Sequence, residues 1–123
     1  HLERIHFEGV RSPQPYLSRA GILVSSSSYE GLPLVILEAL QYGVVPIAFD
    51  SYAALRDVTD GGRLGVMVPP FDLRAYADNL SRLMEDDAGR AEMSQAGREW
   101  SHRYDMAEIA GEWERFLTQL LSK

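Results

Sequence analysis

The 123-residue sequence carries 12 Lys and Arg against 18 Asp and Glu, a formal net charge of −6, with 46% hydrophobic residues. That is enough for one domain with a modest core, and the acidic balance, gathered toward the C-terminal half, argues against a nucleic-acid surface or a polybasic lipid-binding patch. The lack of cysteine excludes disulfides and thiolate metal sites, and no signal peptide or apolar run near the roughly 20 residues of a membrane span is visible.

In chain order, residues 4–10 read as a short strand carrying Ile5, Phe7 and Val10, closed by Gly9 and the Arg11-Ser12-Pro13 turn. His6 falls in this strand and, with no second His at metal spacing, is assigned no chemistry. Residues 14–20 read as a short helix begun by Pro13 or Pro15. Gly21-Ile22-Leu23-Val24 is an apolar run of the kind a parallel sheet buries on both faces. It ends in Ser25-Ser26-Ser27-Ser28, a loop outside the carboxyl end of a strand, where open α/β sheets bind ligands. The serines form either a plain flexible loop or one in which a hydroxyl helps to hold phosphate, and no single serine stands out.

The stretch Tyr29-Glu30-Gly31-Leu32-Pro33 followed by Leu34-Val35-Ile36-Leu37-Glu38-Ala39-Leu40 organises the rest. Pro33 marks a helix start, and Glu38 is the only charge from residue 34 to residue 40, so the helix reads as buried on most faces. A carboxylate in such a place needs partners or a ligand. Glu30 sits at the helix mouth and Glu38 one to two turns inside, which lets both face one cleft. Unpaired N–H groups and the helix dipole at that mouth favour an anion such as phosphate, near Gly31 and Leu32, while carboxylates accept hydrogen bonds from ribose or sugar hydroxyls. A nucleotide-sugar suits both. The competing reading has the two glutamates held by Arg11 or Arg56.

Gly43 is a helix stop, and residues 44–49 repeat the buried-strand pattern, with Pro46 confined to a strand start or edge. Asp50-Ser51-Tyr52 begins another loop at the same sheet edge, followed by a short helix over 53–58, a turn at Asp60-Gly61-Gly62 and a last strand over 64–68. Gly61-Gly62-x-x-Gly65 lacks the spacing of a dinucleotide fingerprint and reads as turn chemistry. From the candidate N-cap Asp72, residues Leu73, Tyr76, Ala77, Leu80, Leu83 and Met84 form one apolar stripe. A second helix spans 88–102 with Met93, Ala96 and Trp100, and Asp105 with Glu108 forms a capping box for a third. The stripe of that third helix, Ile109, Trp113, Phe116, Leu117 and Leu120, reads as core packing, with Trp113 or Phe116 facing a further surface as the alternative. The cluster Glu85-Asp86-Asp87 reads as a solvated helix end, and no metal site is expected.

The Glu30-x7-Glu38 pair resembles the motif of the retaining GT-B glycosyltransferases of family four, and four flanks agree in order and spacing. These are His6-Phe7-Glu8-Gly9, Ile22-Leu23-Val24-Ser25, Gly43-Val44-Val45-Pro46-Ile47-Ala48 and Gly65-Val66-Met67-Val68-Pro69. The resemblance implies that residues 1–123 form a truncated C-terminal nucleotide-sugar-binding domain of a GT-B fold, with a partial Rossmann-like parallel sheet of three to four strands flanked by helices. It implies Glu30 as the catalytic-site contact to the donor sugar, Glu38 on the ribose, and the backbone of Gly31 and Leu32 on the donor. It further implies metal-independent, retaining transfer by internal return to a saccharide or lipid-linked acceptor, with no cofactor beyond the donor substrate. The donor-phosphate Arg and Lys and the acceptor domain are expected upstream of His1, so the isolated fragment is expected to be inactive. A cytoplasmic location, at the inner face of the membrane for the parent protein, a role in polysaccharide assembly and self-association through an unpaired sheet edge complete the expectation. The rival from another class is a non-catalytic α/β module that binds a nucleotide or a partner.

Overall fold

The computed structural model describes residues 2–122. At its centre lies a parallel three-stranded sheet ordered β1-β2-β3, with β1 at Ile22–Ser25, β2 at Val45–Phe49 and β3 at Val66–Val68. Ile22 pairs with Val45 and Ser25 with Ala48, then Ile47 with Val66 and Phe49 with Val68. The helices are α1 (Gln14–Leu17), α2 (Leu34–Tyr42), α3 (Ala53–Val58), α4 (Leu73–Glu85), α5 (Asp87–Ser101) and α6 (Met106–Leu121). The α/β class and the partial parallel sheet expected from the sequence are both present.

Every residue of β2 is buried, as a parallel strand covered on both faces requires. On one side Ile36, Leu37 and Leu40 of α2 join Ala48, Tyr52, Leu55, Val58 and Leu64, with Ala96 and Trp100 of α5 packed against them. On the other, Val45, Ile47, Phe49 and Val68 meet Tyr76 and Leu83 of α4. Pro46 lies opposite Leu23 and ahead of the first β2–β3 pair at Ile47, so its missing N–H costs no bond on the β3 side. Gly65 is forced by the same approach: a Cβ there would stand 2.5 Å from the Pro46 carbonyl oxygen. Gly43 ends α2 with φ at 72°, its N–H bonding Leu40 O at 2.9 Å while that of Val44 bonds Ala39 O at 2.8 Å. Asp72 caps α4 by accepting from the N–H of Ala75 at 2.9 Å.

Several expectations fail, each for a reason of pairing or packing. Residues 4–10 form no strand; Leu2–Arg4 is a 3-10 turn, and Phe7 and Val10 are 95% and 104% exposed. A strand exists only where a neighbour takes its N–H and C=O groups, and among the described residues none does. The run expected at 21–24 lies one residue later and is half-exposed, because β1 is an outer strand here. The first helix is only four residues long. Leu73, Ala77 and Met84 of the α4 stripe face outward, and Tyr76 and Leu83 carry the contact. Asp105 makes no capping bond and instead meets Nδ1 of His102 at 3.0 Å. No side chain of α6 is buried, so its apolar stripe, including Trp113 and Phe116, does not pack into the core.

Candidate functional site

The loop of residues 26–33 runs from the carboxyl end of β1 to α2 and carries Glu30. Pro33 is buried at the N-cap with φ −78° and ψ 78°, so helical geometry starts one residue later than the proline, at Leu34. Its carbonyl accepts from the N–H groups of Ile36 and Leu37 at 3.0 and 3.2 Å. No side chain caps this helix. Among the described residues, no acceptor meets the N–H groups of Gly31, Leu32 or Val35. The start of α2 therefore presents free donors and the positive end of a nine-residue helix dipole at the edge where parallel sheets bind ligands. Space above Gly31 is open, since a Cβ built there meets nothing within 4 Å.

Glu30 is half-buried, and its Oε1 accepts from the Ser27 hydroxyl at 2.8 Å. That bond singles out one of the four serines. Ser51, in the loop after β2, donates in turn to Ser27 O at 3.3 Å, which ties the two loops together. A third tie comes from α4: the Tyr76 hydroxyl reaches Ser25 O at 2.9 Å and Ile47 O at 2.7 Å. Tyr52 lies 7% exposed beside this cluster, and its hydroxyl has no partner among the described residues. Burial raises the pKa of that hydroxyl above the ordinary 10.0, and the negative charge of Glu30 raises it further. The Ser25 side chain offsets part of the rise, although no hydrogen bond of proper geometry joins the two.

Glu38 occupies the second turn of α2 and is half-buried. Its neighbours at helical spacing, Leu34 and Val35, are 62% and 40% exposed, while Ile36, Leu37, Ala39 and Leu40 face the core. The helix is thus amphipathic, not buried on most faces as its composition suggests. Leu32 and Tyr29, on either side of Glu30 in the loop, add further exposed apolar surface. No hydrogen bond or ion pair reaches Glu38 among the described residues. The arginine-held reading fails: Arg56 pairs with Asp50, and Nε of Arg11 donates to Glu8 O at 3.1 Å.

The acidic run 85–87 has ordinary structural work, Asp86 accepting from the N–H of Gly89 at 2.9 Å to cap α5 and Asp87 pairing with Arg90. Sequence reasoning missed Tyr52 and Tyr76, whose roles depend on packing between distant segments. Ser27 had one local signal, a Ser three residues before a Glu, the spacing of reciprocal side-chain bonding in a capping box.

These features define an open parallel α/β domain whose loop after β1 leads through Glu30 into an uncapped helix start, with Glu38 on the second turn of that helix. Residues 2–100 match the family described as glycosyl transferases group 1, and the chain belongs to that family. Its layout is that of the C-terminal domain of GT-B glycosyltransferases. Among curated proteins it is 34% identical over 101 residues to an exopolysaccharide phosphotransferase of Streptomyces coelicolor, covering 82% of this chain and 11% of that protein. It is 24% identical over 111 residues to a poly(glycerol-phosphate) alpha-glucosyltransferase of Bacillus subtilis, covering 89% of this chain and 16% of that protein. Among solved structures, sucrose-phosphate synthase from Thermosynechococcus elongatus superposes with a TM-score of 0.79 at 29% identity, over 89% of this chain and 28% of that one. The chain spans 11% to 33% of the length of the first curated relatives it matches. No helix among the described residues is long and apolar enough to cross a membrane.

Proposed function

We propose that residues 1–123 are the donor-binding part of a retaining glycosyltransferase that moves a sugar from a nucleotide-sugar to a saccharide or lipid-linked acceptor. The observation that carries this reading is the pairing of half-buried Glu30 and Glu38 with the free N–H groups of Gly31 and Leu32 at one helix start. In it, the Gly31 and Leu32 amides meet the donor phosphate, Glu38 accepts from ribose hydroxyls, and Glu30, braced by Ser27, orients the sugar. The bond from sugar to phosphate breaks, a bond to the acceptor oxygen forms on the same face, and the departing phosphate takes the acceptor proton. The role is metal-independent, and the remaining phosphate charge falls to cations of an upstream segment, because Arg56 near this edge is tied to Asp50. Residues 1–123 alone bind without transferring. In the whole protein the reaction belongs to polysaccharide or glycolipid assembly at the cytoplasmic side of a membrane, and the outer edges of β1 and β3 give the isolated domain a route to self-association.

Calorimetric titration of the full-length protein with nucleotides and nucleotide-sugars, beside Glu38→Ala, tests this. The variant should lose about 1–3 kcal/mol of donor affinity with its fold intact. Equal affinity in the two proteins removes the role of Glu38. A second reading, a binding module in a protein whose chemistry lies elsewhere, draws on the Streptomyces relative, which is called a phosphotransferase and shares 11% of its length with this chain. Full-length protein that binds no donor would favour it.

A further inference from the structure

Among the described residues, Asp60 and Phe71 are the non-glycine residues with positive φ, at 51° and 63°. Aspartate tolerates the left-handed region, whereas a bulky aromatic there is an outlier. Phe71 is the third residue of the turn Pro69-Pro70-Phe71-Asp72, closed by the Asp72 N–H on Pro69 O at 3.2 Å. With proline second and a positive φ third, such a turn calls for glycine where the phenylalanine stands. Burial does not offset the strain. Phe71 is 63% exposed, and its contact with the Phe49 ring, at a centroid separation of 5.6 Å, uses the smaller part of its surface. A costly backbone that holds an aromatic ring out to solvent points to a use for the ring.

Its place in the fold narrows that use. The turn follows β3, so it lies on the carboxyl edge that also carries the Glu30 loop after β1 and the Asp50-Ser51-Tyr52 loop after β2. Neighbouring strands stand about 4.8 Å apart, which puts the end of β3 about 10 Å from that of β1, further than one sugar ring reaches. The two also rise over opposite faces. Glu38 belongs to α2, on the face with Tyr52 and Leu55, whereas Phe71 meets Phe49, on the face with Tyr76 of α4. A nucleotide that runs along α2 therefore leads away from Phe71, and the substrate left for the ring is the acceptor. A pyranose presents a face of polarised C–H groups, the complement of the negative face of an aromatic ring.

We propose that Phe71 is an acceptor subsite: a pyranose of the acceptor saccharide, next to the sugar whose hydroxyl attacks, stacks its C–H face on the exposed ring. The inference rests on the reading of Glu30 and Glu38 as donor contacts.

The test uses the full-length protein. Saturation-transfer NMR reads binding of the methyl α-pyranosides of glucose, galactose, mannose and N-acetylglucosamine, while calorimetry with UDP-glucose, UDP-galactose, UDP-N-acetylglucosamine and GDP-mannose reads the donor edge separately. Stacking on a bare ring face is blind to linkage, so wild type should give a signal with at least one pyranoside, strongest on the C–H groups of one sugar face. Phe71→Leu, which still covers Phe49 but has no π face, and Phe71→Gly should both lose that signal, and Phe71→Trp should keep it. Phe71→Gly should also melt at or above the wild-type temperature, because glycine relaxes the turn. No signal in wild type, or an equal signal in Phe71→Leu, overturns the subsite. Wild-type protein that binds a pyranoside but none of the four nucleotide-sugars overturns the donor reading instead.

Discussion

Replacing Tyr76 by Phe removes one hydroxyl and leaves the rest of the contact in place. The ring is 8% exposed and meets Phe49 edge-on, with centroids 4.8 Å apart, and Phe keeps both features. What is lost is the donor to Ile47 O at 2.7 Å and Ser25 O at 2.9 Å. A buried acceptor left unsatisfied costs about 1–3 kcal/mol, and because one proton serves two carbonyls the loss should fall at about 1–2 kcal/mol. For a domain of this size that is a drop of roughly 3–8 °C in Tm. Tyr52→Phe is the matched control, since the same atom is removed where it has no partner, and it should be neutral or stabilising. Urea unfolding of the three proteins should show a lower midpoint for Tyr76→Phe at unchanged slope, and no fall for Tyr52→Phe. Equal shifts in the two variants, or no shift at Tyr76, would refute the assignment of these hydroxyls.

Gly65→Ala should destabilise by about 1–3 kcal/mol in the same assay, because its Cβ would lie 2.5 Å from a backbone oxygen that cannot swing away. Gly31→Ala, with open space above it, should melt like wild type yet bind donor more weakly, a pattern that equal binding would contradict. Burial raises the hydroxyl pKa of both Tyr52 and Tyr76 above 10.0. Stability from these groups is therefore whole below pH 10 and lost as pH climbs from there through their folded values, so the double Phe variant should show a shallower alkaline decline. Trp113 is 59% exposed and Trp100 only partly, so Trp113→Phe should remove most of the iodide-quenchable fluorescence.

Where the chain's own chemistry decides the outcome, the sequence was a sufficient guide. Gly43 stops α2 through a left-handed residue, Asp72 caps α4, and 53–58 forms a helix with the expected bounds, because each depends on groups within a few positions. Pro46 and Gly65 illustrate the middle ground: their types were readable as constraints, but the mutual approach that explains them needed the sheet. Residues 4–10 and the α6 stripe show the limit. Alternation and helical periodicity state which side chains want a partner, not whether one is there, and Phe7 and Phe116 remain exposed. The carboxylates were found because a charge in an apolar run is conspicuous in one dimension. Tyr52 and Tyr76 were not, since a tyrosine in an apolar pattern looks like any core aromatic until its hydroxyl is seen.

The clasp made by Tyr76 also sets a timetable. Its partner Ser25 precedes it by 51 positions, an interval of roughly 3–10 s at ordinary rates of synthesis. During that interval β1, α2 and β2 have all left the ribosome, and the strand pairing that begins at Ile22 and Val45 has everything it requires. The Ser25 carbonyl at the head of the carboxylate loop does not: its donor arrives with α4, after the sheet is complete. The loop that carries Glu30 is consequently locked later than the strands beside it, and a nascent chain holds all three strands, α2 and α3 before it holds a finished binding edge.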